Sequence, residues 1–115
     1  MDLRNISEAT EWFEILQTST RSQTAMMTRT AGDSTGEKPE AHKKSDQVLP
    51  VLRGRLTGEV GQEKVRLKKG DILLIPAGMP HGFTNVARRP AVTFNVYAAR
   101  TGAGSYGDGV PLNFG

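Results

Sequence analysis

The chain contains no cysteine. That absence excludes disulfide bridges, thiolate nucleophiles and cysteine-ligated zinc together, and it fits a reducing compartment. Histidine is scarce too. Only His42 and His81 are present, so any chemistry that needs imidazole runs through those two residues. Aromatic side chains number one Trp, two Tyr and four Phe, and none falls inside the basic groups Lys43-Lys44, Arg53 with Arg55, Lys64 to Lys69, or Arg88-Arg89. Nucleic-acid surfaces interleave cations with stacking aromatics; these groups read instead as solvated strand edges and turns, where charge discourages edge pairing. The first eight residues lack the apolar stretch of a signal peptide, and no stretch of about 20 apolar residues exists to span a bilayer. The expectation is a cytoplasmic protein with no nucleic-acid and no membrane partner.

What is present describes an ordinary globular chain. Of 115 residues, 37% are hydrophobic and 23% charged, with 15 basic and 12 acidic side chains for a net charge of +3. That length supports one core and no second one, so residues 1–115 are read as a single domain. The 13 glycines and 6 prolines fall between short apolar runs, a pattern of strands and turns rather than long helices.

The segment from Ile6 to Leu16 has two readings. Ser7 can cap a short helix with Glu8 and Glu11 in its first turn, or Trp12 to Leu16 can form a strand. Ser22 to Thr30 reads as a strand, followed by a loop rich in turn formers from Ala31 to Pro39. Gln47 to Leu52 is another strand, and Pro50 within it predicts an edge position or a local irregularity. Leu56 to Val60 and Glu63 to Leu67 flank Gly61-Gln62 as a hairpin. Val65 and Leu67 alternate with Arg66 and Lys68, as a half-buried strand requires. Ile72 to Ile75 is wholly apolar. Gly82 to Val86 and Ala91 to Tyr97 complete the set, with Val92, Phe94 and Val96 alternating. Short strands at this spacing predict a sandwich or barrel. The core barrel is placed at about 22–98, and 99–115 forms a Gly-rich tail.

One motif is more specific. Gly70, Pro76, Ala77, Gly78, His81 and Asn85 occur with five, two and three residues in the intervening gaps. Gly70 permits a turn into a strand, Pro76 and Gly78 end that strand, and alternation puts His81, Phe83 and Asn85 on one face of the next. This spacing resembles the second signature of the cupin superfamily, and the resemblance extends over about Met26 to Tyr97. It implies an all-β double-stranded β-helix, or jelly roll, commonly dimeric and often holding a divalent metal on imidazoles.

The first cupin signature is altered in this chain. With Gly54 as its closing glycine, Gln47 falls where an acid is usual, and Glu40 and His42 fall at the paired histidine positions. The resemblance then implies a metal set of Glu40, His42, Gln47 and His81, suited to Fe, Mn, Ni or Zn. Two other registers remain open. One puts Ala41 and Lys43 at the ligand positions; the other places His42 first, followed by Lys44, Val48 and Arg55. Asp46 should face away if Gln47 faces in. Met27, Phe83 and Phe94 are the candidate pocket lining.

Fold does not select function. The chain reads as a barrel with a small-molecule pocket: either a metal-dependent enzyme of dioxygenase or isomerase type, or a non-catalytic binding or regulatory module with a degenerate metal site. Apolar side chains at Trp12, Phe13, Ile15 and Leu16, with Val110, Leu112 and Phe114 in the tail, predict a homodimer.

Overall fold

The computed structural model describes residues 1–34 and 44–99. Among these the regular structure is a 3-10 turn at Ile6–Glu8 and eight strands: β1 (Phe13–Thr18), β2 (Ser22–Arg29), β3 (Ser45–Arg53), β4 (Arg55–Val60), β5 (Glu63–Lys68), β6 (Ile72–Ile75), β7 (His81–Thr84) and β8 (Ala91–Ala99). Every pairing is antiparallel. One sheet runs β1-β2-β8-β3-β6 and the other β5-β4-β7. The last strand therefore sits between the second and third, which rolls the chain into the double-stranded β-helix that the motif implied. No helix among the described residues is long and apolar enough to cross a membrane.

The two sheets face each other across one core. Leu49, Val51, Ile75 and Ala91 come from the larger sheet and Leu56, Leu67 and Phe83 from the smaller. Each large side chain so buried contributes about 1.5–3 kcal/mol relative to exposure.

Several local readings are settled by the structure. At the N-terminus both alternatives are partly right: a 3-10 turn precedes a strand. Asn5, not Ser7, caps the turn, its side chain accepting the Ser7 N–H at 2.9 Å. Glu14 Oε1 accepts N–H groups from Thr10 and Glu11, which holds its carboxyl below the usual range. The hairpin forms as read, with Val60 opposite Glu63. Pro50 does not mark an edge. β3 lies inside the larger sheet, between β8 and β6, and the irregularity is a register shift against β8 between Val51 and Arg53. β6 is apolar throughout but not buried throughout: Leu73 and Ile75 turn inward, while Ile72 and Leu74 are 70% and 60% exposed.

β8 departs most from expectation. Its buried positions are Ala91, Thr93, Asn95 and Tyr97, and Val92, Phe94 and Val96 occupy the other face. Choosing the more hydrophobic set as inward gives the wrong face here, because the barrel interior is partly polar.

Candidate functional site

Alternation along three strands lines one end of the barrel. β3 sends Ser45, Gln47, Leu49 and Val51 inward, β8 sends Thr93, Asn95 and Tyr97, and β7 sends His81 and Phe83 from the opposite sheet. The turn that delivers His81 is anchored by Asp46. That residue points away from the interior, as expected beside an inward Gln47, and its Oδ1 accepts the Ala77 N–H at 2.8 Å. Met79 N–H closes the same turn on the Pro76 carbonyl, and Gly70 and Gly78 both adopt positive φ.

His81 is 5% exposed, and its Nδ1 lies 2.9 Å from the Met79 carbonyl oxygen. A carbonyl only accepts, so Nδ1 carries the proton and a neutral ring keeps its lone pair on Nε2. A backbone carbonyl behind the imidazole is how metal-bound histidines are commonly oriented. The ring stands 6.2 Å from that of Phe83, centroid to centroid.

Gln47 is 3% exposed. Its Nε2 donates to Asn95 Oδ1 at 2.9 Å, and its Oε1 is buried with no hydrogen-bond partner. Asn95 in turn donates from Nδ2 to Thr93 Oγ1 at 3.1 Å, with longer contacts to the Thr93 and Ala25 carbonyls. The orientation of Gln47 is thus set by a chain of amides behind it.

The structure places His81 and Gln47 on the inward faces of the two sheets. Glu40 and His42, the other half of the implied metal set, lie outside the described residues. Among the described residues no group of three or more His, Cys, Asp or Glu could hold a metal ion. The donors that are described, an imidazole nitrogen and an amide oxygen, suit a divalent ion in kind but bring no negative charge. They fit half of a site, whose single carboxylate would be Glu40. Gly54, the anchor of that register, has φ +76, and a Cβ there would lie 2.5 Å from the Pro90 carbonyl oxygen.

Of the pocket residues read from sequence, Phe83 is buried in the core cluster. Met27 is half-buried on the face of β2 that also carries Gln23 and Ala25, opposite Thr93. Phe94 requires correction: it is half-buried and pairs with the buried Met26 on the face of the sheet opposite Thr93 and Asn95, so it does not line the interior with His81. Asn85, read as facing the barrel with His81, is fully buried, but its side chain holds the carbonyls of Arg29 and Arg89. The sequence reading missed Gln23, Ser45, Thr93, Asn95 and Tyr97. The alternation of polar residues at 93, 95 and 97 was the available signal.

Residues 25–97 match the family described as Cupin domain. The chain is 33% identical over 57 residues to the uncharacterised protein SCO3923 of Streptomyces coelicolor, covering 50% of this chain and 51% of that protein; the match spans about half the length of that relative. Among solved structures, TT1209 from Thermus thermophilus is similar with a TM-score of 0.76 and 26% identity, covering 87% of this chain and 99% of its own. BH2720 from Bacillus halodurans also gives 0.76, at 25% identity, covering 88% and 83%. A family match over most of the barrel, two antiparallel sheets closed by β8, and the Gly70–Asn85 motif in its expected turn together make this chain a member of the cupin family.

Proposed function

We propose that this cupin binds a small polar molecule inside its barrel, with a weak divalent-metal site on His81, Gln47, Glu40 and His42 available to orient it. The observation that carries this reading is the pair of buried, inward side chains: His81, oriented by its Nδ1 contact with the Met79 carbonyl oxygen, and Gln47 with an unpartnered Oε1. A metal bound there supplies Lewis-acid polarisation of the ligand, the chemistry expected of a dioxygenase- or isomerase-like enzyme. The second reading is a non-catalytic binding module. It is favoured by the neutral character of the described donors and by the Asn95 bond that holds the Gln47 amide.

Gln47→Glu separates the two. With a metal in place, the new carboxylate adds strong attraction in a partly desolvated site, and metal should stabilise the variant more than the parent. Without metal, the variant faces Asn95 Oδ1 with an oxygen and buries an unpaired charge. Its folded pKa is then raised, so the loss of stability is absent below the unfolded value of about 4.3, sets in above it and grows until the folded pKa is passed. Thermal melts from pH 4 to 8, with Mn, Fe, Ni or Zn and with chelator, read both outcomes. Metal-dependent stabilisation of the variant supports the metal site. A variant destabilised near neutrality and indifferent to metal supports the binding module.

A further inference from the structure

The two sheets end on four strands, β1 and β6 in the larger and β5 and β7 in the smaller. An unpaired edge is a row of main-chain donors and acceptors, and folded proteins blunt it by shortness, bulges or cover. Three of the four edges are treated so. β1 shifts register between Ile15 and Gln17, and its Leu16 carbonyl accepts Arg4 Nη1 at 2.9 Å. β6 is four residues long. β7 is equally short; Ser34 bridges to its Thr84, and Asn85 just beyond it exchanges main-chain bonds with Gly32 and Asp33. β5 has none of these devices. It runs six residues, all paired to β4 without a register shift, and among the described residues no strand or bridge meets its other side.

The open groups on this edge can be named. The two-residue turn Gly61-Gln62 makes Val60 and Glu63 a hydrogen-bonded pair, and bonded pairs recur at every second position. Val65 and Leu67 therefore bond to β4, while Lys64, Arg66 and Lys68 turn their N–H and C=O groups outward. Lys68 agrees with that parity: its N–H donates to Asp71 Oδ2 at 2.8 Å, and its carbonyl accepts the Asp71 N–H at 3.0 Å. Lys64 and Arg66 remain open, and both are exposed. Alternation puts the side chains of Lys64, Arg66 and Lys68 on one face with Arg55, Thr57 and Glu59 of β4. Among these positions Glu59 is the one acid, and none of the four cations is in an ion pair with a described residue. Val65 and Leu67 face the other way, with the core.

We propose that the open edge of β5 docks an extended segment of another protein, one in which acidic residues alternate with apolar ones. The main chain of that segment bonds to Lys64 and Arg66 as a fourth strand of the smaller sheet. Residues directly opposite in a strand pair share a face. The acids of the segment therefore lie beside Lys64 and Arg66, and its apolar residues continue the row of Val65 and Leu67. A second β5 edge does not fit, because pairing two copies sets cation against cation. The rest of this chain does not supply the occupant either, since no two of its 12 acids stand two residues apart. A nucleic acid would meet cations but no aromatic ring at these positions to stack on. The edge lies outside the barrel, so the inference is independent of the metal and small-ligand readings.

The test titrates the full chain with a fluorescent peptide of alternating glutamate and valine, about eight residues long, read by anisotropy. Three controls accompany it: a lysine–valine counterpart, the glutamate–valine peptide N-methylated at alternate amides, and a single-stranded oligothymidylate. The glutamate–valine peptide should bind saturably and more weakly as salt rises. Binding should fall about tenfold with the N-methylated peptide and about tenfold with Arg66→Glu, an exposed substitution whose fold is checked by its melting temperature. Hydrogen exchange should slow at the Lys64 and Arg66 amides on binding and stay unchanged at Val65 and Leu67, which already bond to β4. Equal binding of the N-methylated peptide would mean that only charge is recognised, and would overturn strand addition. Tighter binding of oligothymidylate, lost in Arg66→Glu, would overturn the class of partner. No saturable binding of the glutamate–valine peptide, or equal binding of the lysine–valine one, would leave the cations of β5 with the sole task of keeping copies apart and would overturn the proposal.

Discussion

Asn85 ties three segments of the chain together. Its Nδ2 donates to the carbonyls of Arg29 and Arg89, each at 2.8 Å, and its Oδ1 accepts the Ala87 N–H at 2.9 Å. Its backbone bonds to Gly32 and Asp33 as well. The motif asparagine is thus a fastener for the loops around β7 and not a ligand. Asn85→Ala leaves buried groups unpaired and should cost about 3 kcal/mol, read by chemical denaturation. Asn85→Asp keeps the bond to Ala87 but turns a second oxygen toward two carbonyls. Burial and those acceptors raise the folded pKa of the new acid. Its destabilisation should therefore be small below the unfolded value of about 3.9 and grow as pH rises above it. A denaturation series across pH that found the Asp variant equally unstable at pH 3 and pH 7 would contradict this account.

At the scale of elements, β4 and β7 approach more closely than a side chain allows. Gly58 stands opposite Phe83, and a Cβ added to it would meet the Gly82 carbonyl oxygen and lie 2.6 Å from Phe83 Cδ1. Gly58→Ala must push β7 outward, and β7 carries both His81 and Phe83. The expected loss is about 2–3 kcal/mol, with weaker ligand or metal binding measured on the folded fraction. Glu59→Ala, at an exposed position on the same strand, should change stability by about 0.5 kcal/mol or less. β8 carries the complementary lesson. Thr93, Asn95 and Tyr97 face a polar interior, so Val92, Phe94 and Val96 are left on the outside. An inverted strand of this kind exports its apolar face.

That export shapes the whole molecule. Val92, Phe94 and Val96 of β8, Val48 and Pro50 of β3, and Ile72 and Leu74 of β6 share the outward face of the larger sheet, with no basic residue among them although the chain has 15. At strand spacings of about 4.8 Å and a rise of about 3.3 Å per residue, this patch has a footprint of roughly 200–300 Å². That is the size of an apolar interface core, within a contact of about 800 Å² per partner. A second copy of the chain, meeting the patch with its own, is the occupant that buries both at once. The homodimer is therefore expected through this face. The pair Ile72→Lys and Leu74→Lys should convert a sedimenting dimer at micromolar concentration to monomer without lowering the melting temperature of the barrel itself. Trp12, 61% exposed, and Ile15, 46% exposed, form the competing surface, although Arg29 already covers one face of the Trp12 ring at 4.8 Å. Dissociation by Trp12→Lys, with the lysine pair still dimeric, would move the interface to β1.

The sequence by itself determined the parts of this protein that depend on neighbours in the chain. Turns at Gly61, Gly70 and Gly78, the hairpin of β4 and β5, and the spacing that brings His81 onto the strand after Pro76-Ala77-Gly78 are all local matters of φ, proline geometry and alternation. They sufficed to identify the cupin barrel. The tertiary structure alone decided what depends on which face of a strand meets which sheet. Pro50 sits in an interior strand because β6 and β8 both come from later in the chain to flank β3. Phe94 and Asn95 lie on opposite faces, with Asn95 inward, because a partly polar interior reverses the usual meaning of hydrophobic alternation. Gln47, read as a substitute metal ligand, acquires its orientation from Asn95, 48 residues away. Periodicity reports that a strand has two faces; only the packing of the second sheet against the first tells which of them is inside.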